Sequence, residues 1–191
     1  MYIAIEGIDT AGKSTQIQEL SKHFKDAIIT KEPGATEVGN EIRNIVLSAK
    51  TSSKKAEFLL FLADRAEHVK EVIEPNLDKM IISDRSAVSG VAYALIQGEI
   101  NKKDLVELNN FATNNNYPQK VFLLKLTKEE LEFRLSQKEL DGIELRGAEY
   151  LLNIQDAIEE ATELLGLELV TIDATKSIEE ITEKILSYIS I

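Results

Sequence analysis

The 191-residue chain has no cysteine and no tryptophan, and only three prolines, two histidines and five arginines against seventeen lysines. Without cysteine there is no disulfide framework, thiolate nucleophile or thiolate zinc site, which fits a reducing cytoplasm. His23 and His68 lack an H-x-x-x-H spacing, so a histidine metal site is not expected. No apolar run approaches the roughly 18 residues of a membrane span. The first residues carry no basic stretch ahead of an apolar one, so no secretory leader is expected. Positive charge is scarce overall, with a formal net charge of −11. That balance argues against a general nucleic-acid or anionic-membrane surface. An anionic ligand must therefore be met by a local cluster of cations.

Such a cluster has an obvious centre. Gly7, Ile8, Asp9, Thr10, Ala11, Gly12, Lys13, Ser14 and Thr15 spell G-x-x-x-x-G-K-S-T between an apolar run, Tyr2–Ile5, and a helical-period segment, Gln16–Phe24. A strand before and a helix after give this motif its meaning. The glycines let successive backbone N–H groups converge on an anion at a helix N-terminus. Lys13 then supplies a point charge to the β/γ-phosphates, and the Ser14 hydroxyl is placed to ligate Mg²⁺. The motif implies a bound nucleoside triphosphate.

Five apolar runs read as buried strands: Tyr2–Ile5, Ala27–Thr30, Met80–Ser83, Val121–Leu126 and Leu167–Ile172. Helical-period segments separate them, so a parallel, doubly wound α/β sheet with helices on both faces is expected in a single domain. Capping boxes at Thr127-x-x-Glu130 and Ser177-x-x-Glu180 announce two helix starts. Asn109–Gln119 is Asn-rich and reads as a frayed helix end and loop. Ligands of such sheets sit beyond the strand carboxyl ends, so the residues there carry the chemistry. Lys31–Glu32–Pro33–Gly34 follows the second strand and is, on its own, a plain strand-to-helix turn or a close approach to a ligand. Asp84 follows the third, where a P-loop protein keeps the carboxylate that orients Mg²⁺, and Arg85 beside it is a fork suited to phosphate; a local ion pair is the blander reading. Phe61 and Arg65, four apart on a helix, could stack on a base and bond its edge, or could be core with a snorkelling arginine. Arg85 and Arg146 read as phosphate clamps, Arg43 as part of a solvated face. Asn101–Lys102–Lys103–Asp104 imitates a guanine-reading loop but follows a helix rather than a strand, and no D-x-x-G is present after the third strand.

Taken in order, these stretches resemble the thymidylate kinases from end to end of the chain. The matching residues are Ile5–Asp9 with Ala11–Thr15, Glu32–Pro33–Gly34, Leu59–Leu60–Phe61 with Ala63–Asp64–Arg65, Asp84–Arg85 with Ser89 and Ala92–Tyr93, and Asp141 with Ile143–Glu144. The resemblance implies a five-stranded P-loop kinase fold with a small helical lid at about 137–149, transfer from ATP with Mg²⁺ to dTMP, and a homodimer paired through helices. It implies that Phe61 stacks on thymine, that Arg65 bonds its edge, and that Arg85 holds the acceptor phosphate with Asp9 nearby. By the same resemblance Glu32 and Pro33 line the dTMP site, Tyr93 packs under the deoxyribose, Ser89 and Gly90 line the base pocket, and Arg134 lies against adenine near Asp173–Ala174–Thr175. The chain departs from the family pattern at Lys31, Ala35, Ser86 and Ala94, and at Asn153 and Gln155, where arginines are usual. Thr10 excludes the class with a P-loop arginine, and Gly142 stands where the other class has its lid arginine. Arg146 and Lys138 are left as candidates for the closing cation, with Arg146 favoured by its place between Gly142 and Gly147. Another small-molecule P-loop kinase, or a nucleotide-binding module without transfer, is the alternative.

Overall fold

The computed structural model describes residues 1–48, 51–137, 139 and 144–189; Lys138, Asp141, Gly142 and Ile143 lie outside them, as does the side chain of Glu144. Five strands, β1 (Tyr2–Glu6), β2 (Ile28–Lys31), β3 (Ile81–Asp84), β4 (Lys120–Lys125) and β5 (Leu169–Asp173), form one sheet in the order β2-β3-β1-β4-β5. Every pairing is parallel. The strands lie within two residues of the apolar runs that announce them. β1 is buried along its whole length, the acid Glu6 included. Burying each Val, Leu or Ile of such a strand is worth ~1.5–3 kcal/mol, which makes β1 and its neighbours β3 and β4 the core of the molecule.

Among the described residues eight α-helices flank the sheet: α1 (Lys13–His23), α2 (Glu37–Leu47), α3 (Lys54–His68), α4 (Ala87–Gln97), α5 (Lys102–Thr113), α6 (Lys128–Ser136), α7 (Ala148–Leu164) and α8 (Ile178–Ile189). Their starts follow capping chemistry. The Thr127 hydroxyl accepts from Glu130 N–H at the head of α6, and Ser177 and Glu180 satisfy each other reciprocally at the head of α8. Asn101 caps α5 by accepting from Asp104 N–H, so the N-K-x-D spelling is a helix start. α1 and α8 are joined by Gln16, whose amide donates to Ile178 O and accepts from Thr182. α4 packs chiefly on α7, and α3 packs chiefly on α2 and then on α5. The helix end and loop expected over Asn109–Gln119 are found from Asn114 onward, while α5 runs through Thr113 and Asn109 is a fully buried interior residue rather than part of the fray.

Register and loop bonds place the three ligand-facing turns side by side. Ile5 sits opposite Asp84, Arg85 N–H donates to Ile5 O, and Glu32 N–H donates to Asp84 O. The ends of β1, β3 and β2 are thereby fixed to one another before any side chain is considered. Gly7 makes the first turn possible: a Cβ there would lie 2.9 Å from Leu124 O. On the other flank, Gln155 of α7 clasps the end of β4, accepting from Leu126 N–H at 2.8 Å and donating to Leu126 O at 3.1 Å. At this position the chain has a fastener of buried backbone rather than a cation.

Candidate active site

Lys13 opens α1 and is buried, its ammonium donating to Ile8 O at 3.1 Å and lying 3.8 Å from Asp9 Oδ1. Burial, and then repulsion from Arg85, push its pKa down to about 8 against the opposing pull of Asp9, Asp84 and Glu6. An ammonium so short of solvation gains most from an incoming polyanion. Thr10 stands at φ +68° with a buried hydroxyl that has no partner among the described residues. A β-branched residue in that region is strained by ~1–3 kcal/mol. Arg134 grips the same turn, donating to Thr10 O at 3.0 Å and to Ala174 O at 2.7 Å while Glu130 takes its Nε–H. The fork thus ties the phosphate loop to the turn after β5, beside Thr175, where an adenine-flanking residue is expected.

Arg85 also stands at φ +68°. Its Nη1 donates to Gly7 O at 3.0 Å and to the Ser89 hydroxyl at 3.2 Å, and its Nη2 donates to Asp9 Oδ1 at 2.8 Å. Beneath it Glu6 accepts from the hydroxyls of Ser86, at 2.8 Å, and Ser89, at 2.5 Å. Burial raises the Glu6 pKa, opposed by Arg85 and the two serines. Ser86, at a position where this chain departs from the family pattern, also caps α4 by accepting from Val88 N–H. The Ser89 hydroxyl is therefore engaged by Glu6 and Arg85.

Asp9, Thr10, Gly12, Lys13, Ser14, Thr15, Asp84 and Arg85 meet around one open cavity of about 450 Å³, with Lys31, Glu32 and Arg43 completing its wall. Three buried or half-buried cations face it in a chain of strongly negative net charge. Arg43 corrects the solvated-face expectation: its Nη1 donates to Pro33 O at 2.9 Å and its side chain lines the cavity. Asp84 Oδ1 is buried and has no partner among the described residues. An orphaned carboxylate oxygen of a residue that lines the same cavity as Ser14 fits a hard cation such as Mg²⁺, which takes one or two protein oxygens and fills its remaining positions with water and phosphate. Among the described residues no group of three carboxylates or histidines converges, so the protein share of such a site is small.

A second constellation lies behind the β2 turn. Arg65 is only 2% exposed; its Nε donates to Glu32 at 2.8 Å and its Nη1 to the Asn109 side-chain oxygen at 2.7 Å. A Cβ on Gly90 would come within 2.9 Å of Arg65 Nη2. The other Glu32 oxygen lies 2.9 Å from His68 Nδ1, and His68 Nε2 lies 2.7 Å from the Thr30 hydroxyl. Burial alone would raise the Glu32 pKa, but Arg65 and then His68 outweigh it and hold the carboxyl at about 2. Asp64 accepts from Gly34 N–H at 2.8 Å, and burial lifts its pKa to about 6. Phe61 is half-buried one turn before Arg65, and Pro33 is half-buried in the turn. Tyr93 is half-buried close to Arg85 and Asp9, its hydroxyl pushed up to about 12 chiefly by burial.

Arg146 stands apart from both groups. It is exposed, its guanidinium 4.9 Å from the centre of the Tyr150 ring and donating to the Tyr150 hydroxyl at 2.9 Å. Sequence reasoning missed Glu6, Arg43, His68, Asn109 and Tyr150. A signal existed for Glu6, an acid ending an apolar strand. For His68 and Asn109 there was none, because their partners lie 36 and 44 residues away.

The family model for thymidylate kinase matches residues 5–185. A thymidylate kinase of Sulfurimonas denitrificans is 73% identical over 191 residues, covering all of both chains. One from Aliarcobacter butzleri is 53% identical, again over all of both chains. The crystal structure of the thymidylate kinase from Ehrlichia chaffeensis superposes with a TM-score of 0.76 at 24% identity, covering 100% of this chain and 98% of that one. At that identity the likeness speaks for the fold alone.

Proposed function

The chain belongs to the thymidylate kinase family and phosphorylates dTMP, and we propose that it takes the phosphoryl group from ATP with Mg²⁺ and passes it directly, in line, to give dTDP for dTTP synthesis. The observation that carries this reading is the single cavity at which Lys13, Arg43 and Arg85 meet the unpartnered Asp84 oxygen. Transfer of this kind is catalysed by positioning and by cations on the migrating group. Lys13 neutralises the β/γ-phosphates. Arg85, fixed by Asp9 and Gly7 O, orients the acceptor phosphate. Ser14 and Asp84 would hold Mg²⁺, which supplies charge neutralisation across the β- and γ-phosphates. No side chain serves as a strong base, because the attacking phosphate oxygen is already ionised; Asp9 acts through Arg85 and Lys13. Arg65 and Phe61 read the base, with Tyr93 under the sugar and Gly90 and Ser89 behind.

Residues 137–149 form the lid of a single domain in this reading, and closure excludes water from the reacting phosphates. Arg146 is its closing cation: it is the described cation of that segment, and it lies at the head of α7. Lys138, the other candidate, lies outside the described residues. The enzyme acts as a homodimer, supported by exposed apolar residues on the packed pair α3 and α5: Leu59, Leu108 and Phe111, the last 87% exposed. A cytoplasmic setting is supported by the absence of cysteine, and no described helix is long and apolar enough to cross a membrane. ADP release measured against a panel of monophosphates tests the reaction: dTMP is expected to give saturable turnover that UMP and dCMP do not. ATP binding without transfer to any monophosphate would overturn it. In single turnovers Arg146→Ala is expected to cost more than about tenfold, near 1.4 kcal/mol, and Lys138→Ala less; the reverse order would remove Arg146 from its role.

A further inference from the structure

We propose that His68 is a positioning residue for dTMP recognition: through Glu32 it holds Arg65 in the one orientation that leaves Nη2 alone to face the base. The inference rests on the reading of Arg65 as the base-edge donor and deepens it.

A guanidinium offers five N–H groups in a planar fork. In Arg65 the Nε arm is taken by Glu32 and the Nη1 arm by Asn109, so two edges of the plane are fixed by groups on different elements. Nη2 has no protein partner among the described residues and lies against the bare Cα of Gly90. The base is thus met by one nitrogen at a set angle, not by a fork free to rotate. A donor so placed donates to a ring carbonyl and confronts an amino group with a second donor.

The orientation is only as firm as Glu32, which sits in a turn after an edge strand. That carboxylate has a second anchor. His68 Nδ1 lies 2.9 Å from Glu32 Oε1, and an ionised carboxylate has no hydrogen to give, so Nδ1 carries the proton and donates. His68 Nε2 then pairs with the Thr30 hydroxyl at 2.7 Å, and Thr30 is pinned within β2. The relay runs Thr30, His68, Glu32, Arg65, Asn109 and links β2, α3 and α5 through side chains that are all buried. Tyr2, Asp64 and Tyr117 are the other titratable groups that face it. His68 is fully buried and is not among the described residues that line the cavity of Lys13 and Arg85. Its influence reaches the base only through Glu32.

The test is steady-state kinetics on the full chain. His68→Leu removes both bonds; it is expected to raise the KM for dTMP at least tenfold and to lower the preference for dTMP over dCMP, with the KM for ATP within twofold. His68→Asn, whose amide can replace the Nδ1–H donor, is expected to recover most of that loss. If His68→Leu fails to fold, Thr30→Val removes only the far anchor and is expected to shift dTMP KM and selectivity in the same direction by a smaller factor. Unchanged dTMP KM and selectivity in the folded variant, or equal losses for both substrates with no recovery in His68→Asn, would overturn the proposal. Arg65→Lys separates the two layers. If it leaves selectivity intact, the reading of Arg65 fails; if it destroys selectivity while His68→Leu does not, only the role of His68 fails.

Discussion

Replacing Lys13 by methionine should make the free protein more stable while disabling it. The Lys13 pKa falls from 10.5 to about 8 on folding, a difference of about 2.5 units, and at ~1.36 kcal/mol per unit this is about 3 kcal/mol of destabilisation carried by the charged ammonium at neutral pH. Methionine keeps the stem and removes the charge, at the loss of the bond to Ile8 O, which is worth ~1 kcal/mol. A net gain of about 2 kcal/mol remains, or roughly 4–8 °C in Tm for a chain of this length. The sign follows from proton counts. Between pH 8 and 10.5 the unfolded chain holds a proton that the folded chain has shed, so wild-type stability from this group rises with pH. The advantage of Lys13→Met is therefore full below pH 8 and gone near pH 10.5. Turnover should drop by about 10²–10³, the usual cost of losing one donor aimed at transition-state charge. Paired urea titrations of both proteins at pH 7, 8.5 and 10, without nucleotide, read the difference directly. A variant no more stable than wild type at pH 7, or a gain undiminished at pH 10, would refute the reasoning.

Gly90→Ala should push a methyl to within 2.9 Å of Arg65 Nη2, which cannot retreat because Nε and Nη1 are held; overpacking of ~1–3 kcal/mol is expected, with calorimetry showing weakened dTMP binding and unchanged ATP binding. Gln155→Ala leaves Leu126 N–H and C=O without their buried partner, so urea titration should show a loss of ~2–4 kcal/mol with little change in either KM. Asp64, raised to about 6 by burial, binds its proton more firmly folded than unfolded, so stability from this group falls as pH rises from 4 to 6. Asp64→Asn should flatten that slope in denaturation curves taken between pH 4.5 and 7, and an unchanged slope would clear Asp64 of the effect.

The central strands β1, β3 and β4 were legible because a parallel strand buried on both faces must be apolar throughout. The edge strands β2 and β5 also stood out as apolar runs, although the expectation that they are buried fails where each faces solvent. The phosphate loop and the Asp84–Arg85 pair were legible because their spacing to a strand end is local. Arg43 was not, since helical periodicity places it on a polar face; what brings it into the cavity is the turn at Pro33 and Gly34, held from afar by Asp64. Asn109 was misplaced for a similar reason: its composition suggests a loop, while its side chain satisfies a buried arginine of another helix. Pattern reports which residues are inside. It does not report which polar groups find each other there.

Thr10 and Arg85, on either side of the phosphate cavity, both hold a backbone twist that glycine would hold without strain. At residue 85 the relief is outweighed, because glycine would forfeit the bonds of the guanidinium to Gly7 O, Asp9 and Ser89. A library of variants screened for heat resistance alone would be drawn to glycine at residue 10, where it loosens the turn that Arg134 grips. Robustness and throughput pull in opposite directions there, so a hardier version of this enzyme has to be sought elsewhere in the chain.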